Sequence, residues 1–391
     1  MPAVWLWHSG PVGKEGMRVR NILFALALIA VLVAVGLYLS QLPLGAPAGS
    51  PAAGTSPTAS DSPSAAWYEL RFTKPLIPDS DKSKHKGGPD EALVELMDRA
   101  RKTLDVADYD FDLANVASAM VKAKQRGVAV RMVTDTDTLQ NTKDQFVRAA
   151  FDQLRKAAIP IVDDRRGAIM HDKFTVVDDE WVETGSWNYT DGDSYRLNNN
   201  MIVIHSSELA ANYAAEFERM FVKHQFGPQK SAGAHNTRLT IDGVAVENYF
   251  SPKDNPADHV IDVVRQAKES VYFLAFSFTH DGIGDAMVAQ AKAGRKVGGV
   301  FETTGSNTPF SEYGKMKKEG LDVWADGSPY SMHHKVIIVD EQVVVFGSFN
   351  FSAGADDSND ENLLIVHDAG LAKQFKAEYD RVLALAKNPP R

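Results

Sequence analysis

Two stretches of the chain carry the same residues capable of chemistry, in the shared pattern His-x-Lys-x4-Asp-x6-Gly-Ser-x-Asn. Histidine can attack as a nucleophile or move a proton near neutral pH. Lysine, serine and asparagine offer positive charge and hydrogen-bond donors to anionic oxygens. The first copy consists of His171, Lys173, Asp178, Ser186 and Asn188, and the second of His333, Lys335, Asp340, Ser348 and Asn350. The pattern therefore indicates chemistry on an anionic group.

The residues between these positions are mostly Val, Ile and Phe, which are typical of β-strands. Because side chains alternate along a strand, we expect His171 and Lys173 on one face and Asp172 on the other. The second copy follows the same rule. Asp178 and Asp340 come at the strand ends, where they either fix a turn or take part in the chemistry.

The duplicated pattern resembles that of the phospholipase D superfamily, in particular its small hydrolases with two such motifs, over residues 67 to 391. The resemblance implies phosphodiester hydrolysis without a metal or another cofactor. One histidine would form a covalent phosphohistidine, while the other protonates the leaving oxygen and then activates water. It implies six catalytic residues, namely His171, Lys173, Asp178, His333, Lys335 and Asp340. It also implies four residues that bind the phosphate, namely Ser186, Asn188, Ser348 and Asn350.

One matched position differs between the copies. Asn199 follows His171 by the same interval at which Glu361 follows His333. In similar enzymes a glutamate here hydrogen-bonds the catalytic histidine, and a carboxylate favours the imidazolium more than an amide does. We therefore expect His171, paired with Asn199, to be the neutral nucleophile, and His333, paired with Glu361, to be the general acid.

The motif belongs to a long internal repeat, because Gly127 aligns with Gly294 and His171 with His333. Strand–helix–strand alternation in each copy predicts an α/β fold. We expect two duplicated phospholipase D-like α-β-α sandwich units, 67–225 and 236–391, packed about a pseudo-two-fold axis. A single active site would lie at their interface, so the monomer would be active. Gly, Pro and Ser between Phe226 and Asn236 indicate a linker.

The N-terminal region is predicted to direct the protein to a membrane. Residues 1–44 combine a basic cytoplasmic stub with an uncharged apolar run, Ile22 to Leu39, which is about 27 Å long as a helix. The run is either a signal anchor or a cleaved signal peptide, and the start is Met1 or Met17. Residues 45–66 form an Ala/Pro/Ser/Gly tether. The catalytic part would be extracytoplasmic, either periplasmic or extracellular, and would be secreted after cleavage.

Composition limits the function. The chain contains no cysteine, which excludes disulfides, thiolate metal sites and a catalytic cysteine. Its net charge of -9 disfavours a dedicated nucleic-acid coat, although a small basic cleft remains compatible with it. The preferred substrate is a membrane phospholipid that loses its headgroup. A metal-independent endonuclease of DNA or RNA and a non-catalytic binding module are the alternatives, with specificity expected in the loops Thr136 to Lys143 and Thr303 to Gly314.

Overall fold

The computed structural model describes residues 67–390, so the predicted stub, apolar run and tether lie outside the described residues. Within residues 67–390, no helix is long and apolar enough to cross a membrane. These residues form two halves, each built on one mixed β-sheet. The predicted duplicated α/β fold is confirmed.

The first half contains seven strands and five helices. The strands are β1 (Tyr68–Phe72), β2 (Thr103–Asp108), β3 (Ala129–Thr134), β4 (Ile161–Asp163), β5 (Lys173–Val177), β6 (Trp181–Gly185) and β7 (Asn200–His205). The helices are α1 (Pro89–Arg99), α2 (Ala114–Gln125), α3 (Gln145–Lys156), α4 (Asp191–Tyr195) and α5 (Ser207–Phe221).

The second half repeats this arrangement after a short helical turn at Gly227–Gln229. Its strands are β8 (Arg238–Ile241), β9 (Val244–Phe250), β10 (Ser270–Ala275), β11 (Lys296–Phe301), β12 (Asp322–Ala325), β13 (Lys335–Val339), β14 (Val343–Gly347) and β15 (Asn362–Val366). Its helices are α6 (Pro256–Arg265), α7 (Asp281–Lys292), α8 (Thr303–Ser306), α9 (Glu312–Lys318), α10 (Ala353–Asp357) and α11 (Ala369–Lys387).

The two sheets have the same topology. The first runs β1-β7-β6-β5-β2-β3-β4, and the second runs β9-β15-β14-β13-β10-β11-β12 in the same sense, with β8 added beside β9. In each sheet three strands are parallel, and the motif strand, β5 or β13, pairs antiparallel with β2 or β10. The motif strands therefore lie at the centre of their sheets, where both faces are covered.

One apolar core joins the halves, because helices α5 and α11 contribute to the same buried cluster as the facing sides of both sheets. That cluster includes Phe174 and Phe217 of the first half together with Phe346 and Phe375 of the second. Each half also has one further apolar cluster, which lies under its outer helices. Phe174 faces the central core while Lys173, its neighbour, is buried on the other side, which confirms the predicted alternation along the strand.

Asp178 and Asp340 bind backbone amides at turns, and these contacts favour a role in the fold over the catalytic role predicted from the sequence. Each begins a tight hairpin turn after its motif strand, with φ of 54° at Asp178 and 53° at Asp340. The Asp178 carboxylate accepts hydrogen bonds from the amides of Arg101, Lys102 and Thr103. Asp340 accepts from the matching amides of the second half. Burial acts to raise the pKa of both carboxyls, but these backbone donors lower the pKa overall.

We therefore expect Asp178→Asn to reduce stability while leaving catalysis intact. A weaker acceptor for three backbone donors should lower the free energy of unfolding by about 1–2 kcal/mol. Because the carboxyl pKa is depressed in the folded state, the loss should be full near neutral pH and should shrink as the pH falls through that pKa. Urea unfolding at pH 7 and pH 3 checks this. A fall in kcat without a loss of stability would contradict it.

Candidate active site

The two halves meet through reciprocal backbone hydrogen bonds beside the motif histidines. The His171 amide donates to the Asp360 carbonyl and the His333 amide donates to the Asn198 carbonyl, each at 2.9 Å. Such an exchange, in which equivalent residues make equivalent contacts, is typical of two-fold symmetry. It brings the two motifs to one site, where burial and the ammonium groups of both halves, Lys173 and Lys335, lower the pKa of each histidine.

Each histidine is oriented by a residue of the opposite half, so the predicted pairing within each copy is wrong. His171 Nδ1 lies 2.7 Å from Glu361 Oε2, and His333 Nδ1 lies 2.9 Å from Asn199 Oδ1. The physical reason is the docking of the halves. The residue before each orienting residue, Asn198 or Asp360, bridges to the other half, so the next side chain reaches the other half's imidazole.

The two motif serines support the orienting residues, and their predicted contact with phosphate stays a prediction. The Ser186 hydroxyl donates to Asn199 Oδ1 at 2.9 Å, and the Ser348 hydroxyl donates to Glu361 Oε2 at 2.7 Å. Both serines are fully buried. The preceding Gly185 has φ of 154°, and a Cβ there would collide with the carbonyl of Asn200. The glycine thus permits the close approach that turns the serine inward.

Asp193, in helix α4, was missed by the sequence analysis although it is part of the site. Its Oδ1 lies 3.4 Å from His333 Nδ1 and accepts hydrogen bonds from the Asn199 and Asn188 amide groups, at 3.0 and 3.1 Å. The equivalent residue of the second half is Ala355. Each histidine is therefore accompanied by one carboxylate, supplied as Glu361 for His171 and as Asp193 for His333. Alignment of the two repeats shows that only the first half has a carboxylate at this position, although it does not show which histidine that carboxylate accompanies.

The motif asparagines differ between the halves. The Asn188 amide nitrogen donates to Asp193, whereas the second half offers Ala355 at that place. Among residues 67–390, the Oδ1 atoms of both Asn188 and Asn350 are buried without a hydrogen-bond partner. Phosphate binding by Asn188 and Asn350 stays a prediction.

The two motif lysines are buried in equivalent positions. Lys173 Nζ donates to the His171 carbonyl and Lys335 Nζ to the His333 carbonyl, both at 2.8 Å. Each ammonium lies over an aromatic ring, that of Tyr109 or Phe276. Burial lowers the pKa of both lysines, and for Lys335 the neighbouring Lys173 ammonium lowers it further. An anionic group placed between the two ammonium groups would relieve that repulsion.

Burial also sets the protonation of the imidazoles. It lowers the pKa of His333 to about 3 with the help of Lys335, while Asp193 opposes the shift. Burial and the two lysines lower the pKa of His171 as well. In contrast, burial raises the pKa of Glu361 to about 8. The His171–Glu361 pair therefore keeps an exchangeable proton up to about pH 8, which the His333–Asn199 pair lacks.

The surroundings of the two histidines differ in charge. The Tyr109 ring lies 5.2 Å from the His171 ring. Burial is the main cause that raises the pKa of Tyr109, and the carboxylates of Asp135, Asp110 and Asp137 raise it further. The Phe276 ring takes this place beside His333, at 4.6 Å. Asp135 is matched by Glu302, but five other acidic residues of the first half are matched by uncharged ones in the second. These pairs are Asp108 and Ala275, Asp110 and Ser277, Asp112 and Thr279, Asp137 and Thr304, and Asp144 and Ser311.

Comparison with known proteins points to one family. The family described as "Cardiolipin synthase, PLD-like domain" matches residues 93–221 and 260–383, one segment in each half. A "Phospholipase D" of Rickettsia bellii is 31% identical over 130 residues, which are 33% of this chain and 65% of that protein. A "Mitochondrial cardiolipin hydrolase" of Mus musculus is 31% identical over 146 residues, which are 36% of this chain and 64% of that protein.

A solved structure extends the comparison over the whole fold. The phosphatidylserine synthase of Haemophilus influenzae superposes with a TM-score of 0.60 at 15% identity, over 82% of this chain and 86% of that one. At this identity the likeness concerns the fold alone. The family match covers both halves and agrees with the two converging His-x-Lys motifs. The chain therefore belongs to the phospholipase D superfamily.

Proposed function

We propose that the protein is a phosphodiester hydrolase that acts through a covalent phosphohistidine. The observation that carries this proposal is the inequality of two buried histidines at one site. One of them lies 2.7 Å from the carboxyl of Glu361, whose pKa is raised by burial, while the other contacts the amide oxygen of Asn199. A nucleophile and a proton donor are what a two-step displacement at phosphorus requires.

His333 is the nucleophile in this proposal, which reverses the assignment made from sequence. The Asn199 amide nitrogen donates to Asp193, so its Oδ1 faces the ring and His333 Nδ1 must carry the hydrogen. The lone pair is then on Nε2, away from that hydrogen bond. Because the low pKa of His333 keeps the ring neutral, Nε2 is available to attack phosphorus.

His171 acts as the acid and then as the base. As Nε2 of His333 bonds to phosphorus, the bond from phosphorus to the leaving oxygen breaks. His171 gives its Nε2 proton to that oxygen and receives the proton of Glu361 at Nδ1. In the second step His171 Nε2 removes a proton from water, its Nδ1 proton returns to Glu361, and the water oxygen attacks phosphorus. The phosphorus–nitrogen bond then breaks and His333 is released in its neutral form. Lys173 and Lys335 stabilise the negative charge on the phosphoryl oxygens during both steps.

The proposed substrate is a phospholipid whose headgroup carries a positive charge. In an in-line displacement the leaving group extends away from His333 and therefore toward His171. The first half carries Asp110 and Asp112 where the second half carries Ser277 and Thr279, and these carboxylates would favour an ammonium group over the further phosphates of a nucleic acid. The names of the Rickettsia and mouse relatives agree with a lipid substrate.

We also propose that the enzyme works beside a membrane on its extracytoplasmic side. The support is the sequence alone, since the apolar run Ile22 to Leu39 and the basic residues before it lie outside the described residues. A tether at residues 45–66 would let the catalytic part reach lipids in the same bilayer.

Glu361→Gln should remove the carboxyl proton that His171 needs to act as the acid, while the amide oxygen still accepts a hydrogen bond from His171. We expect kcat for phospholipid hydrolysis to fall by about 10²- to 10⁴-fold. In the unchanged protein the raised pKa of Glu361, about 8, means that activity should decline as the pH rises through that value. This decline should disappear in the variant. Profiles of kcat from pH 5 to 10 measure it, with the exposed Glu319→Gln as control. An alkaline decline that survives in Glu361→Gln would contradict the role of this pair.

Trapping the intermediate should distinguish the two histidines. A 4-nitrophenyl phosphodiester has a leaving group that needs no protonation, so His171→Ala should still form the covalent adduct and release nitrophenolate. His333→Ala should form no adduct. Denaturation without acid followed by peptide mass spectrometry locates the phosphoryl group. An adduct on His171 in the unchanged protein would overturn the assignment.

Substrate choice can be measured with the full chain in detergent and EDTA. We expect release of choline and ethanolamine from phospholipid vesicles to exceed release of glycerol by roughly tenfold, which is about 1.4 kcal/mol of discrimination. Single- and double-stranded DNA should stay intact. The variants Asp110→Ser and Asp112→Thr copy the second half and should reduce the preference for ammonium headgroups by roughly 3- to 10-fold.

His333→Ala serves as the inactive control for this experiment. Cleavage of DNA with phospholipids left intact would favour the endonuclease alternative. Binding of phospholipid without any cleavage would favour a non-catalytic module.

A further inference from the structure

Lys230, in the connection between the halves, is a buried charge that the proposed mechanism does not use. Its ammonium is fully buried and contacts three acceptors, namely the Glu216 carboxylate, the Asp360 carboxylate at 2.7 Å and the Ser251 carbonyl at 2.9 Å. Glu216 belongs to the first half, whereas Asp360 and Ser251 belong to the second. One cation therefore links both halves to the connection that joins them.

Asp360 transmits this link to the site. Its carboxylate accepts from the Gly227 amide at 2.7 Å and pairs with Arg166, so it is held by the first half and the connection. Its backbone donates to the Ile169 carbonyl at 3.1 Å and accepts from the His171 amide at 2.9 Å. The next residue is Glu361, whose carboxylate orients the His171 ring. Both the backbone and the ring of His171 thus depend on where Asp360 lies.

The other half has no such ammonium among the described residues. Asn198 takes the place of Asp360 beside His333, and its side chain accepts from Arg381, whose own side chain is 41% exposed. Asp172 is the neighbour of His171, and its equivalent is His334. The His171 side therefore holds a buried cluster of carboxylates and cations around Lys230. The His333 side has its own ion pair, Glu378 with Arg381, which also contacts His334, but among residues 67–390 it has no carboxylate in the place of Asp360. Burying such a cluster is costly unless every charge is paired, and the ammonium of Lys230 completes that pairing.

We infer that Lys230 is a positioning residue for His171, acting through Asp360 and Glu361. This inference rests on the proposed function for its effect on catalysis, but its effect on the His171 ring is independent of that function. The charged groups that face this cluster are Asp172, Glu216, Asp360, Arg166 and Arg219. Those that face the His171–Glu361 pair are Lys173, Lys335 and Asp193. None of the latter changes in the variants below.

The test uses the full chain and three variants. Lys230→Met removes the ammonium. Lys230→Met combined with Asp360→Asn removes one charge of each sign and copies the Asn198 of the other half, and Asp360→Asn alone keeps Lys230 paired with Glu216. We expect each folded variant to lose about 10- to 100-fold in kcat with little change in KM. The alkaline limb of the pH profile should move, because the His171–Glu361 hydrogen bond is loosened.

A second readout needs no substrate. In ¹⁵N-histidine-labelled protein, the Nδ1 proton of His171, assigned with His171→Gln, should shift or broaden in the variants while that of His333 stays in place. Arg381→Met is the matched control, and it should perturb the His333 signal alone. If Lys230→Met alone does not fold, Lys230→Met combined with Asp360→Asn decides the matter, because it removes the ammonium without leaving an extra buried charge.

Variants that lose thermal stability but keep the wild-type pH profile and the His171 signal would overturn the inference. If the unchanged protein cleaves no phosphodiester, the proposed function fails, and the His171 signal still decides the inference about Lys230.

Discussion

The site depends on the pair of backbone hydrogen bonds by which His171 and His333 are each held to the opposite half. Neither half contains a complete site, because each imidazole takes its orienting partner from across the interface. The shared core of α5, α11 and the facing sides of the sheets makes this docking rigid, since a close-packed interior has few alternative arrangements. A change that loosens the interface between the halves would consequently also disturb the geometry of the site.

The two halves share one sheet topology, but the site between them is asymmetric. The two motifs superimpose in His, Lys, Gly, Ser and Asn, yet the carboxylate beside each imidazole comes from a different position in each half. Glu361 contacts His171 directly, while Asp193 lies 3.4 Å from His333 and is shared with two amide groups. Burial raises the pKa of a carboxyl group such as Glu361, whereas several hydrogen-bond donors can lower the pKa of a buried carboxyl group such as Asp193. The position of one carboxylate relative to each imidazole therefore makes the two histidines differ in how they hold a proton.

Much of this could be predicted from the sequence. The duplication, the α/β sheets, the single site and the faces of His171 and Lys173 follow from periodicity and from the motif. The cross-half pairing could not, because it depends on how the halves dock and not on local spacing. The serine hydroxyls turn inward at a glycine with positive φ, and Asp178 turns outward at a hairpin, both of which are decided by a single backbone angle. Asp193 lies outside the motif, and only its alignment with Ala355 in the second repeat indicates that the two halves differ there.

The exchanged orienting residues also bear on how such a protein can evolve. Two copies of the first half alone would give both histidines the amide of Asn199 as partner, with Asp193 behind it, and would place no glutamate against either imidazole. Two copies of the second half would place a Glu361 against each imidazole, with Ala355 behind. Neither self-association reproduces the site, because each half supplies the residue that orients the histidine of the other. Recombination that trades one half for a close relative must carry positions 193, 199, 355 and 361 as a matched set.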